Sequence, residues 1–289
     1  MDSLTVIALQ RLFTNRQILT LKTRLGRMPE NKEQWNQIIE MGIIEREVTI
    51  PEITRAFSEA ERIIDESLEQ EIEIITFFDE DFPEPLKNFK RKGLYDIPLT
   101  LYYKGNIRNV SRMEAIAIIG TRKPTADGLK MGEYYGRYFA SQGFNIVSGL
   151  ALGCDTAAHK GALSAKGITT AFVGHGLDII HPSENKSLAE RIIASGGAVV
   201  SEYPIGTPVC FQNLIDRNRL QAGLSDAVIL IQSDDKKGGS MHAVNIANEN
   251  HKPAFAVQFG NERANLDKMT QGNVRLIREK RAAALTPDR

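Results

Sequence analysis

From residue 111 onward, short apolar runs alternate with longer amphipathic stretches, and this rhythm limits the fold more than any other property of the chain. Candidate strands fall at 115–119, 144–147, 169–173, 198–201, 227–231 and 253–257, with helix-length segments such as "GLKMGEYYGRYFASQG" and "AHKGALSAKG" between them. Runs such as "AIAII" are continuous rather than alternating, so the strands are expected to be buried on both faces. The combination predicts an α/β fold, an extended Rossmann-like parallel sheet with helices on both faces. Ligands of such sheets sit beyond the carboxyl ends of the strands, so the loops after the strands are where function is expected.

The first 72 residues read differently. "SLTVIALQRLF" has apolar side chains at helical spacing, and "NKEQWNQIIEMG" runs from a polar cap to Gly42. In "TIPEITRAFSEAERIIDESLEQEI", Pro51 suits a first turn and Ile53, Phe57, Ala60, Ile63, Ile64 and Leu68 form the expected buried set. Three parts are therefore expected: a small helical N-terminal domain (1–72), a connecting strand and turn segment (73–110), and the Rossmann-like domain (111–289). The connecting part offers strands near 72–77 and 99–103 and a basic run, Lys87, Lys90, Arg91 and Lys92, that suits either a solvated surface or a DNA contact.

Composition narrows the function classes. Among 289 residues, 36 Lys and Arg balance 36 Asp and Glu, so nonspecific coating of long nucleic acid is disfavoured. The balance hides an asymmetry: residues 1–110 hold 15 basic against 19 acidic side chains, and the remainder 21 against 17. Any nucleic acid must then be met by positive charge gathered in a groove. No apolar run reaches the length of a membrane span, and "MDSLTVIALQRLFTNRQ" lacks the features of a signal peptide, so a cytoplasmic protein without membrane contact is expected. Cys154 and Cys210 stand alone, and His175 and His181 lack a third ligand at zinc-like spacing, so no disulfide, metal or cofactor is implied.

Several strand-end loops carry chemistry. In "IIGTRKPTADG", Gly120 permits a sharp turn, the Thr121 hydroxyl can donate to an oxygen and Arg122 presents a fork for phosphate. Asp127 is the expected cap of a helix whose stripe begins at Leu129. In "FNIVSGLALGCDTAAHKGAL", Ser148 and Gly149 end a strand, while Asp155 and His159 share a helix face as an acid–base pair, an intrahelical contact or an N-cap. In "GHGLDIIHPSENKSL", Asn185 is the expected cap of the next helix and Lys186 stands at its start. Arg217, Asn218 and Arg219 in "CFQNLIDRNRLQAGLSDAVILI" suit adjacent phosphates, or else ion pairs with Asp216 and Asp226. Gly238, Gly239 and Ser240 precede a helix as a second anion cradle.

The order of these stretches, together with "GGAVVSEYPIGTP" and "QGNVRLIREKRA", resembles the DprA/Smf family of DNA-processing proteins over about residues 75–285. The resemblance implies an extended Rossmann-like fold with a helical N-terminal module and no catalytic activity. It also implies binding of single-stranded DNA, homodimerisation and help in loading the RecA recombinase during natural transformation. Carried over, it makes Arg122 the leading phosphate contact, lines the same groove with Arg217, Asn218 and Arg219, and gives backbone access at Gly149 and Gly239. Gly120, Thr121, Ser148, Asn185, Lys186, Phe211 and Ser240 complete the expected DNA-binding set.

The chain departs from the family pattern in places. Leu214 and Ile215 stand where a phenylalanine–proline pair is usual, with Phe211 displaced upstream. Ser183 follows His181–Pro182 where many members have a lysine after their tyrosine–proline pair, with Lys186 a possible substitute; Met241 and His242 follow "GGS"; and the winged-helix module of many members is not expected after "AALTPDR". The rival readings are a nucleotide sensor and a nucleotide-processing enzyme resembling the lysine-decarboxylase-like LOG proteins, whose "PGGxGT" loop this sequence lacks. "ANLDKMTQGNVRLIREKRAAAL" supplies an apolar stripe suited to a dimer face.

Overall fold

Ala115, Ala117 and Ile119 point into one apolar cluster while Ile116 and Ile118 point into another, so a continuous apolar run serves two buried faces of one sheet. These positions come from a computed structural model that describes residues 1–26, 34–35, 48–235, 239–260 and 265–286. In chain order the strands are β1 (Glu73–Thr76), β2 (Lys90–Arg91), β3 (Leu94–Tyr95), β4 (Thr100–Gly105), β5 (Ala115–Ile119), β6 (Asn145–Ser148), β7 (Thr169–Val173), β8 (Ala198–Ser201), β9 (Ala227–Leu230), β10 (Ala254–Val257) and β11 (Ala283–Leu285). The helices are α1 (Ser3–Gln10), α2 (Asn15–Leu25), α3 (Ile50–Glu69), α4 (Ile107–Arg112), α5 (Ala126–Ser141), α6 (Cys154–Ser164), α7 (Lys186–Ala194), α8 (Phe211–Asp216), α9 (Asn218–Leu224), α10 (Ser240–Glu249) and α11 (Gln271–Arg278).

The main sheet runs β1-β4-β8-β7-β6-β5-β9-β10-β11, parallel from β8 to β11 and antiparallel at β1–β4 and β4–β8. This is the expected Rossmann-like sheet, extended at one side by two strands from 73–110. β2 and β3 pair only with each other. The chain winds from β5 outward through β6, β7 and β8, then returns to lay β9 on the other side of β5. The order therefore reverses between β5 and β9, where a crevice opens at the strands' carboxyl ends.

Helices cover both faces. Leu220 and Leu224 of α9, Val244 and Ala247 of α10 and Leu276 of α11 pack on one side. Tyr135 of α5 and Ala158 and Ala162 of α6 pack on the other. A Cβ at Gly136 would stand 2.3 Å from the Ala158 carbonyl oxygen, so glycine there allows α5 and α6 to meet backbone to backbone. α1, α2 and α3 share one apolar cluster with Leu99, Tyr102, Ala171, Val173, Ile192 and Val199. Their core is therefore continuous with the sheet's covering.

Local expectations fare unevenly. α5 is capped by Thr125, whose hydroxyl accepts from the Gly128 N–H, with Asp127 in the first turn. Its buried face is Gly128, Gly132, Tyr135, Gly136 and Ala140, and Leu129 is exposed. Small residues make that stripe, so a search for large apolar side chains misplaces it. In α3, Pro51 lies in the first turn as expected, but Leu68 is 75% exposed. α11 turns Leu276 into the core and β11 follows it as an edge strand, so much of the apolar stripe near the C-terminus is internal. "NKEQWNQIIEMG", apart from Gln34 and Trp35, and Gly238 lie outside the described residues.

Candidate nucleic-acid interface

The loop after β5 is fixed by its neighbours. Thr121 N–H donates to the Gln232 carbonyl (2.7 Å) just past β9, and the Thr121 carbonyl accepts from Cys154 N–H (3.2 Å) at the start of α6. The Gln232 side chain accepts from Thr125 N–H and donates to its hydroxyl, both at 2.9 Å. Gly120, Thr121 and Arg122 are thus held between β9 and α6, with Arg122 exposed. The loop after β9 is held by Asn273 of α11, which accepts from Ser233 N–H (3.0 Å) and donates to the carbonyls of Ile231 (2.8 Å) and Val257 (3.0 Å). Gln232 and Asn273 have no place in the expected site. Their sequence signal is modest: a polar side chain at the end of a strand run and another inside a short amphipathic helix.

These loops enclose a cavity of about 750 Å³ at the reversal between β5 and β9. Its cationic lining includes Arg122, Lys123 and Arg217, with Arg275 tied to Asp235 at 2.6 Å. Leu214, Ile215, Met241 and Met269 make an apolar wall, and Phe211 at the mouth is 74% exposed. α10 starts at the cavity with Gly239 as its N-cap and no side-chain cap among the described residues, and its positive dipole end lies in the cavity lining. Asn218 anchors that end by donating to the Gly239 carbonyl (3.1 Å), and the Ser240 hydroxyl donates to that of Ser233 (3.2 Å).

Arg217 is 4% exposed, and its Nε and Nη1 have no hydrogen-bond partner among the described residues. Its guanidinium occupies the space above Gly149, where a Cβ would lie 1.3 Å from Nη1. Its carboxylate neighbour is Asp155, with Oδ2 3.9 Å from Nη2. Burial pushes Arg217 down to about 10, with Asp155 opposing that shift, so the side chain stays charged at neutral pH. Burial likewise pushes Asp155 up against the pull of Arg217, the Ala151 backbone and the Ser148 hydroxyl. An unsatisfied guanidinium, an open helix end and a second arginine around one cavity are chemically suited to an anion.

The remaining expected contacts part company. Arg219 turns away: Nε donates to Asp96 (3.0 Å) and Nη2 to Glu202 (2.7 Å and 2.6 Å), and it lies outside the cavity lining. The surrounding carboxylates neutralise it, so it is a structural ion pair rather than a groove residue. Asn185 is buried, donates to the Leu150 carbonyl (2.7 Å) and Thr156 hydroxyl (2.8 Å), and makes no side-chain cap to α7. Lys186 is exposed and outside the cavity lining. Ser148 is buried, outside the cavity lining, and donates to the Ile118 carbonyl (2.6 Å). His159 shares its Nδ1 contact with the Thr169 hydroxyl (2.7 Å), not with Asp155. Among the described residues no cluster of His, Cys, Asp and Glu is suited to a metal, and no helix is long and apolar enough to cross a membrane.

Comparison with known proteins fits this geometry. The family of DNA recombination-mediator protein A matches residues 73–288. The DNA processing protein DprA of Bacillus subtilis is 34% identical over 206 residues, 71% of this chain and 67% of that protein. Protein Smf of Synechocystis is 34% identical over 202 residues, 68% of this chain but only 48% of its own length. The chain thus spans about half of that relative. Among solved structures, DprA of Streptococcus pneumoniae superposes with a TM-score of 0.78 at 28% identity, covering 99% of this chain and 95% of that one. DNA processing protein A of Helicobacter pylori, whose structure describes a single-stranded DNA binding mode, superposes with a TM-score of 0.62 at 31% identity, covering 73% and 90%.

Proposed function

The chain belongs to the DNA recombination-mediator protein A family, and from that premise we propose that its cavity grips single-stranded DNA without chemically altering it. The observation that carries this reading is Arg217, buried and charged, with Nε and Nη1 lacking an acceptor among the described residues, in the lining of a cavity shared with Arg122 and the start of α10. A phosphate supplies the missing acceptors, and the wall of Leu214, Ile215, Met241 and Met269 with Phe211 at its mouth receives a base. Duplex DNA offers its phosphates on a rigid rod with stacked bases, so the unpaired strand is preferred. The finer role is a cytoplasmic homodimer that shields exposed single strands and passes them to the RecA recombinase. Two linked cavities raise affinity through effective concentration.

Fluorescence anisotropy with labelled oligo-dT and a matched duplex tests this. Preferential single-strand binding is expected, with log affinity falling by about 0.7 per contacted phosphate for each log unit of salt. Arg217→Ala and Arg122→Ala each weaken it. Hydrolysis of a free nucleotide with no oligonucleotide binding would reject the proposal.

A further inference from the structure

β2 and β3 form a small hairpin turned at Lys92 and Gly93, both with positive φ, 54° and 73°. It is firmly seated. The Asn250 side chain accepts from Lys90 N–H (2.6 Å) and donates to the Lys90 carbonyl (2.8 Å). Arg91 reaches Asp96 (2.5 Å) and Asp216 (2.7 Å). Asp216 ends α8, the helix that supplies Phe211, Leu214 and Ile215 to the cavity. The hairpin is therefore tied to the C-terminal end of the helix that makes part of the cavity's apolar wall.

Its outer side is unusual. Leu94 and Tyr95 are 56% and 61% exposed, and Lys90 Nζ stands 5.2 Å from the Tyr95 ring. A groove of about 570 Å³ opens between Gly93–Ile97 and α2, where Thr14, Arg16, Leu19 and Thr20 face it. Arg16, Lys90 and Lys92 have no carboxylate partner among the described residues, and the groove's Asp96 is already held by Arg91 and Arg219. An exposed ring flanked by uncompensated cations and hydroxyl groups complements a phosphate backbone with unstacked bases.

We infer that a single strand leaving the cavity passes over α8 and continues on this hairpin, with a base on Tyr95 and phosphates against Lys92 and Arg16. The inference rests on the single-strand reading of the cavity. The acidic balance of residues 1–110 does not oppose it: among the described residues the groove's carboxylate, Asp96, is paired, and Arg16 in its lining has no carboxylate partner.

The test compares oligo-dT of about six nucleotides, enough for the cavity, with oligo-dT of about twenty, long enough to reach the hairpin. The double variant Tyr95→Ala, Lys92→Ser should bind the long strand about tenfold more weakly and with a salt slope smaller by about 0.7, while its affinity for the short strand is unchanged. Tyr95→Phe, which keeps the ring, should retain wild-type affinity for both. Unchanged long-strand affinity in the double variant overturns the inference and leaves the cavity reading standing; equal losses for both lengths overturn it too, by placing the effect in the cavity. Failure of the wild-type protein to bind either strand removes both.

Discussion

Arg217 places Nη2 3.9 Å from Oδ2 of Asp155, a separation that couples the charges without closing a hydrogen bond. Two positions on, Arg219 is ion-paired through Nε with Asp96 and through Nη2 with Glu202, although its Nη1 has no hydrogen-bond partner among the described residues. One arginine is held ready and the other is spent, although both stand in the same three-residue stretch.

Asp155→Asn leaves the Arg217 charge buried and uncompensated, and should lower unliganded stability by about 3–5 kcal/mol. An anionic ligand then relieves more. Differential scanning fluorimetry should show a larger rise in Tm with saturating oligo-dT for the variant than for wild type.

Arg219→Ala should behave in the opposite sense. It strands Glu202 and takes one of two arginine partners from Asp96, which keeps Arg91, so urea denaturation should report a loss of about 3–5 kcal/mol, while the salt slope of oligo-dT binding stays at the wild-type value.

Gly149→Ala tests the contact beneath Arg217. The new methyl occupies the space of Nη1, 1.3 Å away, so the guanidinium must leave. Anisotropy should then show a loss of oligo-dT affinity of about tenfold, similar to Arg217→Ala and in keeping with charge-assisted hydrogen bonds.

Phe211→Ala should lower oligo-dT affinity by about tenfold, the scale of one lost stacking contact. With the ring 74% exposed, the thermal midpoint should hardly move.

His159 makes stability depend on pH. Burial, reinforced by the Arg217 charge, pushes it down to about 3 from an ordinary 6.5. Between these values the unfolded chain binds the proton and the folded chain does not, so stability present above pH 6.5 is lost as pH falls, by about 1.4 kcal/mol per unit. Asp155, raised in the folded state, works the other way. The slope difference between wild type and His159→Gln in urea titrations from pH 7 to pH 5 isolates the histidine.

The sheet was legible because strand burial on two faces leaves unbroken apolar runs. β5, β7 and β8 have the expected bounds, β6 is shifted by one residue, and β9 and β10 differ by one residue at one end. β11 was missed: "AAL" is too short to signal a strand and depends on pairing with β10. For the site, sequence placed Gly120, Thr121, Arg122, Phe211, Arg217, Asn218, Gly239 and Ser240 in strand-end loops, and these line one cavity. It could not separate Arg217 from Arg219, because their fates depend on carboxylates supplied by other elements of the fold, Asp155 for the first and Asp96 and Glu202 for the second. Asn185 does stand at the N-cap position of α7, but its side chain is used elsewhere. Its preference for helix starts is local, but its partners at Leu150 and Thr156 are distant.

The family match begins at residue 73, yet the packing does not respect that boundary. Val6, Ile18, Ile53 and Ile63 are close to fully enclosed in the same cluster as Leu99, Ala171 and Val199. Trimming the chain to its matched part would strip the lid from a greasy floor and invite self-association, so the leading helices belong in any version of the protein made for study.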